Sequence, residues 1–410
     1  MDHNALRGPS HLVLAPVAKG EEQAISAVSL LVKGQGTIGF AIGQRTGFSV
    51  TIQCQGWCTP GFRWDVGFDG ARLSEYRDDA WHDVPLEKCA GLDPEPMCAY
   101  WFSFDYANRM LRFGKGEMRL GCALASHSLG NKPKDAPDPY AWLREASEVG
   151  IGAPIRGNVD IWRDPVVDEV PLRVVPMDSI TMDQMAGGAL TLPANLTPTC
   201  QLLYGNVAGK NFELGTDDFP QFAQAIKESI ADENGWCHKV LEEKASEFGA
   251  RDPQKTYLRI TMGHNQGESP GIPFVMEIWP VGNYSPIHNH GGSNAVIKVL
   301  HGAITVEMYP MLSQHHQTPF AIDTFYKGEI TWISARLNQT HKLHNTQKDE
   351  PCITIQCYMY AENNDTHWPY FDYLDKTGIA NFDPNSDADY MEFKALMQRE
   401  YGKRHGVGPG

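Results

Sequence analysis

Residues 284–302 read YSPIHNHGGSNAVIKVLHG, and this stretch decides the fold. His288 and His290 stand two apart, so on a strand both imidazoles leave from one face while Asn289 leaves from the other. A Gly-Gly-Ser turn follows, then an apolar alternation from Ala295 that ends at Gly302. Two imidazoles on one face can share an ion, yet histidines at a strand edge are also ordinary. A third ligand would decide between the two. The stretch HKLHN at 341–345, ahead of the apolar run CITIQCYMY, offers His341 and His344 from a neighbouring strand.

Gly282 lies six residues before His288 and Gly302 twelve after His290, and in these turn positions the hairpin resembles the first motif of a cupin barrel. The acidic ligand common in such barrels is missing, because the position five beyond His290 is Ala295. Across 211–402 the chain resembles the thiol dioxygenases, the cysteine dioxygenase family above all. YLRI at 257–260 precedes the histidines, and Trp279 stands nine residues before His288. HKLHN reproduces the family's His-x3-Asn around its third ligand, which implies His341 rather than His344 as the partner of His288 and His290. The strand ITIQCYMY places Tyr358 at the family's active-site tyrosine. Thr354 and Gln356 then stand where the family keeps a serine and a histidine.

The resemblance implies a jelly-roll barrel (a double-stranded β-helix with flanking helices) holding Fe(II) on His288, His290 and His341. O2 would be the co-substrate and a small thiol amino acid, L-cysteine first, the substrate, with cysteine sulfinic acid as product. Three neutral imidazoles leave Fe(II) its full charge and open positions for the cysteine thiolate and amine and for O2. A metal-bound thiol is deprotonated outright. Arg259 is implied to bind the substrate carboxylate, since a guanidinium matches a carboxylate bidentately. The alternation in TYLRITM turns it inward. Tyr257 and Trp279 are expected beside the substrate, and Tyr358 is expected to hydrogen-bond the carboxylate or an oxygen. Gln356 is expected to donate to the tyrosine without carrying a proton. Ala295 forbids the cysteine–tyrosine thioether of animal members. Competing readings are another thiol (3-mercaptopropionate or cysteamine), a cupin lyase, and a non-catalytic sugar- or protein-binding barrel. Ala295 counts against the lyase, and Arg259 with three intact histidines counts against a degenerate barrel.

Composition bounds the rest. A chain of 410 residues suggests two domains, and 39 glycines with 27 prolines favour a mainly β, turn-rich architecture. A formal charge of −15 without a basic cluster argues against a nucleic-acid partner. No apolar run is long enough for a membrane span, and the amino end lacks the apolar core of a signal peptide. Nine cysteines without paired spacing read as free thiols in a reducing compartment, so a cytoplasmic protein is expected. The pair Cys54 and Cys58 lacks a second ligand pair for zinc.

From 24 to 124, segments such as FSVTIQC, AYWFSFDY and MLRFGKGEMRL alternate with glycine turns and predict a β-sandwich over 1–130. YWFSFDYANRMLRFGKGEM resembles the farnesoic-acid-methyltransferase-like sandwich modules, which implies a sugar or protein ligand for an accessory domain. GQGTIG at 34–39 spells a dinucleotide fingerprint, but a strand signal follows where a helix is needed. The Pro/Gly-rich stretch 131–210 is expected to be a connector with short strands. A cupin domain over 211–402 should open with a helix capped near Thr216 and a second over WCHKVLEEKASEF. DPNSDADYMEFK at 383–394 imitates a calcium loop but has Ala388 at the glycine position and Lys394 at the last, so it reads as a capped helix start. Residues 403–410 are expected to fray as a tail. His264, His301, His315, His316 and His344 are expected to lie off the metal site, with His301 facing solvent.

Overall fold

The computed structural model describes residues 10–13, 26–42, 46–53, 60–86, 90–93, 98–152, 155–166, 169–209, 212–262, 274–360 and 370–406. Cys54, Cys58 and His264 fall outside the described residues. The chain divides into two compact units, Met1–Glu169 and Val170–Gly410.

The described residues of the first unit are strands and turns, with two short 3-10 helices at Leu120–Cys122 and Ala141–Glu145. Its strands are β1 (Ser10–Val13), β2 (Ser26–Ser29), β3 (Gln35–Ile42), β4 (Phe48–Gln53), β5 (Gly61–Gly67) and β6 (Gly70–Arg77). They continue with β7 (Ala80–Val84), β8 (Ala99–Asp105), β9 (Met110–Lys115), β10 (Ala123–Ser128), β11 (Glu148–Gly152) and β12 (Ile155–Trp162). Two six-stranded sheets result, in the orders β1-β12-β3-β8-β9-β10 and β2-β11-β4-β5-β6-β7. Aromatic side chains from both fill the space between them. Phe48 of one sheet meets Phe102 of the other edge to face at 6.1 Å, and Trp64 meets Phe113 at 5.7 Å. The glycines of GQGTIG flank and enter β3, and the next element is β4, so no phosphate-binding helix follows.

The expected connector divides between the units. β11 and β12 complete the two sandwich sheets by pairing with β2, β4, β1 and β3, which are distant in sequence and invisible to local pattern. Beyond Val170 the stretch is more helical than expected. After β13 (Arg173–Val174) come α1 (Met182–Gly187) and α2 (Pro198–Val207). Thr181 and Gln184 form a capping box on α1, and Thr197 caps α2 ahead of Pro198.

The second unit continues with α3 (Phe222–Ala231), α4 (Trp236–Glu243), β14 (Leu258–Met262), β15 (Phe274–Trp279), β16 (His288–Asn289) and β17 (Asn294–His301). Then follow β18 (Ala303–Met308), β19 (Ala321–Tyr326), β20 (Ile330–Ile333), β21 (Thr340–His344) and β22 (Cys352–Met359). β23 (Phe371–Leu374), β24 (Ile379–Phe382), β25 (Ala388–Asp389) and α5 (Tyr390–His405) close the chain. The sheets run β13-β20-β17-β22-β15-β14-β25 and β19-β18-β21-β16-β23-β24. Strand alternation assigns the faces of the first sheet. Leu258, Ile260, Met276, Ile278, Ile353 and Ile355 pack with Phe222, Ile226, Leu241, Phe393 and Met397 of α3, α4 and α5. The residues between them in sequence face the other way, into the barrel.

Two helix boundaries differ from expectation. Thr216 starts no helix: Phe219 N–H donates to Thr216 O in a turn, Pro220 follows, and α3 opens at Phe222. The carboxyl end is helical through His405 instead of fraying. Arg404 pairs with Asp232 at 2.8 Å and His405 with Glu228 at 2.9 Å, and Gly406 ends the helix in the left-handed conformation. Asp389 caps α5, as the loop-like sequence suggests, by accepting from Met391 N–H. The described cysteines are free and buried. Among the described residues no helix is long and apolar enough to cross a membrane.

Gly302, the last residue of the deciding stretch, turns β17 into β18 at φ +68°, and a Cβ there would stand 2.4 Å from Pro351 O. Gly302→Ala is expected to cost about 1–3 kcal/mol through the disfavoured backbone conformation alone, with the clash adding to it. Urea unfolding of the variant should show a lower midpoint, and an unchanged midpoint would refute this role for the turn.

Candidate metal centre

The pairing of β16 with β21 builds the centre. His288 lies directly across from His341 in this antiparallel ladder, and His290 N–H donates to Gln339 O at 3.3 Å just past its end. Three side chains from two short segments are thereby aimed at one point. Their ligand atoms all lie within 4.8 Å of one another, and the Nε2 atoms of His290 and His341 are 3.3 Å apart. His288 Nδ1 sits 3.1 Å from Pro286 O and His341 Nδ1 3.4 Å from Asn338 O. A carbonyl partner makes each Nδ1 the protonated nitrogen and leaves Nε2 a bare lone pair, as metal-ligating histidines are commonly held.

Burial keeps the imidazoles neutral. His288 is pushed down to about 4, and burial with the neighbouring imidazoles lowers His290 and His341 well below the ordinary value. His290 Nδ1 is buried without a partner, and its Nε2 meets His341 Nε2 at 3.3 Å, a contact that needs a proton or a cation between the two nitrogens. A divalent ion would satisfy all three Nε2 atoms at once, so the residues fit a metal. Among the described residues the set contains no carboxylate: the group is His288, His290 and His341. His344 is not part of it; its ring lies against Tyr284 at 5.9 Å. His301 is not a free solvent group either. It meets Glu350 at 3.1 Å, because the outward face of β17 brings it beside the residues preceding β22.

The first sheet faces these histidines across a cavity of about 50 Å³. At about 10–15 Å³ for each water-sized group, this is space for a few such groups. Its walls on that side are Tyr257, Arg259, Glu277, Trp279, Thr354, Gln356 and Tyr358. Every residue expected at the site is therefore on the same cavity. Tyr257 stacks on Trp279 with centroids 4.3 Å apart. Tyr358 ring stacks on His290 at 5.8 Å, and its partner across β17 is Ala295, a fully buried residue with no donor atom. The row along β22 is joined by hydrogen bonds, with one reversal of the expected direction. Tyr358 hydroxyl donates to Gln356 Oε1, while Gln356 Nε2 points to Thr354 Oγ1 at 3.4 Å. The amide is oriented this way because its N–H side also faces the Glu277 carboxylate.

No family model matches the chain. Among solved structures, a cupin 2 domain-containing protein from Halorhodospira halophila is 15% identical and covers 31% of this chain and 77% of its own, with a TM-score of 0.22. The Cupin_2 domain of an XRE family transcriptional regulator from Enterobacter cloacae is 13% identical over 26% of this chain and 98% of its own, with a TM-score of 0.21. An oxalate oxidase in complex with the substrate analogue glycolate is 15% identical over 27% and 53%, with a TM-score of 0.22. The barrel is defined by its strand order and by the two sheets paired around the cavity. The fold is a mainly β barrel of two facing sheets, a double-stranded β-helix.

One residue of the barrel cavity escaped the sequence reading. Glu277 lies directly across from Arg259 in the ladder of β14 and β15, and from Thr354 on the other side. Its Oε1 is 3.3 Å from Arg259 Nη1, with both side chains buried. Burial lifts the Glu277 carboxyl above the usual range, opposed by the guanidinium, and Arg259 stays charged. Backbone bonds hold Arg259 in place: its N–H donates to Asp387 Oδ2 at 2.7 Å and its carbonyl accepts from Asp387 N–H at 2.8 Å. The signal was present in PFVMEIWP, where a single charge interrupts an apolar strand and shares the face of Trp279.

His341→Ala is expected to weaken divalent-metal binding by more than the 10–100-fold typical of a lost supporting contact. His344→Ala should leave it unchanged. Calorimetric titration with Fe(II) or Zn(II) checks both, and loss of binding in the His344 variant alone would overturn the assignment.

Proposed function

We propose that the barrel unit is an Fe(II)-dependent thiol dioxygenase, converting L-cysteine and O2 to cysteine sulfinic acid. The observation that carries this reading is the neutral three-histidine donor set, without a carboxylate, facing a small cavity that holds a buried arginine. A site without anionic ligands of its own suits a substrate that brings one. The metal, when bound, supplies a Lewis-acidic centre that takes the thiol as thiolate and activates O2.

The chain's own residues would do the rest. Arg259 meets the substrate carboxylate, held at its backbone by Asp387. The Tyr257–Trp279 stack and Tyr373 wall the cavity, excluding water from the sulfur. Burial raises the Tyr358 hydroxyl far above neutrality, so it keeps its proton and acts as a hydrogen-bond donor. Its link through Gln356 to Thr354 fixes the hydroxyl's direction, and an amide in that row cannot relay a proton. Both oxygen atoms end on sulfur, which loses the four electrons that O2 gains. No further reductant is needed.

Purified protein loaded with Fe(II) is expected to take up one O2 per L-cysteine and release the sulfinate, as followed by an oxygen electrode and mass spectrometry. Absence of uptake with L-cysteine, 3-mercaptopropionate and cysteamine, despite bound iron, would sink the reading.

A further inference from the structure

Arg259 and Glu277 belong to a closed ring of buried side chains on the cavity wall. Arg259 Nη1 donates to Glu277 Oε1 at 3.3 Å. The Gln356 amide turns its N–H side to the same carboxylate, and its Oε1 accepts from the Tyr358 hydroxyl. A guanidinium N–H of Arg259 reaches the Tyr358 oxygen and closes the ring. The other amide hydrogen of Gln356 points to Thr354 Oγ1 at 3.4 Å. The sheet fixes these places, because Glu277 lies directly across from Arg259 on one side and from Thr354 on the other.

The ring has a fixed source and a fixed sink. A guanidinium donates and has no acceptor, whereas an ionised carboxylate accepts and has no proton to give. Arg259, Gln356 and Trp279 all turn donors to Glu277, an environment that favours its ionised form. Between source and sink the two adaptable groups have one arrangement. Gln356 spends an N–H on Glu277, so its carbonyl faces Tyr358, and Tyr358 gives its single proton to that carbonyl. We infer that Glu277 is a positioning residue: by orienting the Gln356 amide it commits the Tyr358 proton to Gln356, so that Tyr358 meets a ligand in the cavity with its oxygen lone pairs alone. The inference rests on the thiol dioxygenase reading for its effect on turnover and deepens it. On that reading the ligand group beside Tyr358 is one that can donate, such as an N–H of the substrate amine, and not a second acceptor.

The test reads the Tyr358 hydroxyl in protein free of metal and thiol. Tyrosine labelled with carbon-13 at Cζ gives a C–O stretching band that responds to the bond its hydroxyl makes. The Tyr358 band is the one missing from Tyr358→Phe, and Gln356→Leu supplies its position once the acceptor is gone. In Glu277→Gln the guanidinium takes the new amide's oxygen and leaves its NH2 against Gln356. The Gln356 amide must then turn over, and the band should move from the wild-type position toward that of Gln356→Leu. The double variant Glu277→Gln/Gln356→Glu puts a carboxylate back into the ring and should return the band to the wild-type side. Loaded with Fe(II), Glu277→Gln should lose about tenfold or more in kcat/KM for L-cysteine, the range of a charge-assisted hydrogen bond, and the double variant should recover part of it. An unmoved band, a double variant that fails to restore it, or a moved band with undiminished turnover would overturn the inference. Should Glu277→Gln fail to fold, the double variant decides alone, since a band at the Gln356→Leu position there contradicts the ring. The expected band shifts without O2 uptake on any thiol would remove the dioxygenase reading and leave the ring standing. Turnover of cysteine with an unmoved band would do the reverse.

Discussion

The antiparallel pairing of β16 with β21 is the constraint on which the second unit's chemistry depends. It sets His288 opposite His341 and carries His290 to the same point. A one-residue slip would turn the histidines to the other face of the sheet, because side-chain direction alternates. The neighbouring structure guards against that slip. Ser285 hydroxyl accepts from Leu343 N–H at 2.9 Å, and Asn345 carries the turn by donating to Trp279 O at 2.9 Å and Glu350 O at 3.0 Å. The asparagine of HKLHN is thus a structural partner that holds the third histidine's strand in register.

The two sheets of the barrel divide the work. The sheet of β16 and β21 supplies the imidazoles, while that of β14, β15 and β22 supplies the charged and hydroxyl groups that face them. Helices α3, α4 and α5 cover the outer face of the latter sheet with apolar side chains. Asp387, just ahead of β25 and α5, bonds to both backbone groups of Arg259 and to Lys244, so helix packing and the cavity's cation are mechanically joined. Ala295 makes room for this arrangement. A larger or acidic side chain there would reach Tyr358, its cross-strand partner, and change the donor set.

Much of this was legible in the sequence, for identifiable reasons. His288 and His290 announce themselves through strand alternation and turn glycines, while Arg259, Gln356 and Tyr358 stand out through the family resemblance, with period two giving only the face they share. What escaped depends on contacts distant along the chain. β11 and β12 sit in a stretch rich in proline and glycine and gain their identity by pairing with strands far earlier in the chain, such as β4 and β3. The helical character of α1 and α2 was written in Thr181, Gln184, Thr197 and Pro198 but masked by the surrounding composition. Glu277 passed as one polar letter in a strand, because an ion pair is visible only once β14 lies against β15. The direction of the Tyr358–Gln356 bond required the same neighbour, since the amide turns its N–H side toward Glu277.

The account's central claim is that three neutral imidazoles hold a metal open to a thiolate. X-ray absorption at the iron edge of the Fe(II)-loaded protein tests it directly, recorded without and with L-cysteine under nitrogen. The expected result is an imidazole-dominated shell from three histidines that gains one sulfur neighbour when cysteine is added. A shell that shows no sulfur with cysteine present, or fewer than three imidazoles without it, would contradict the account.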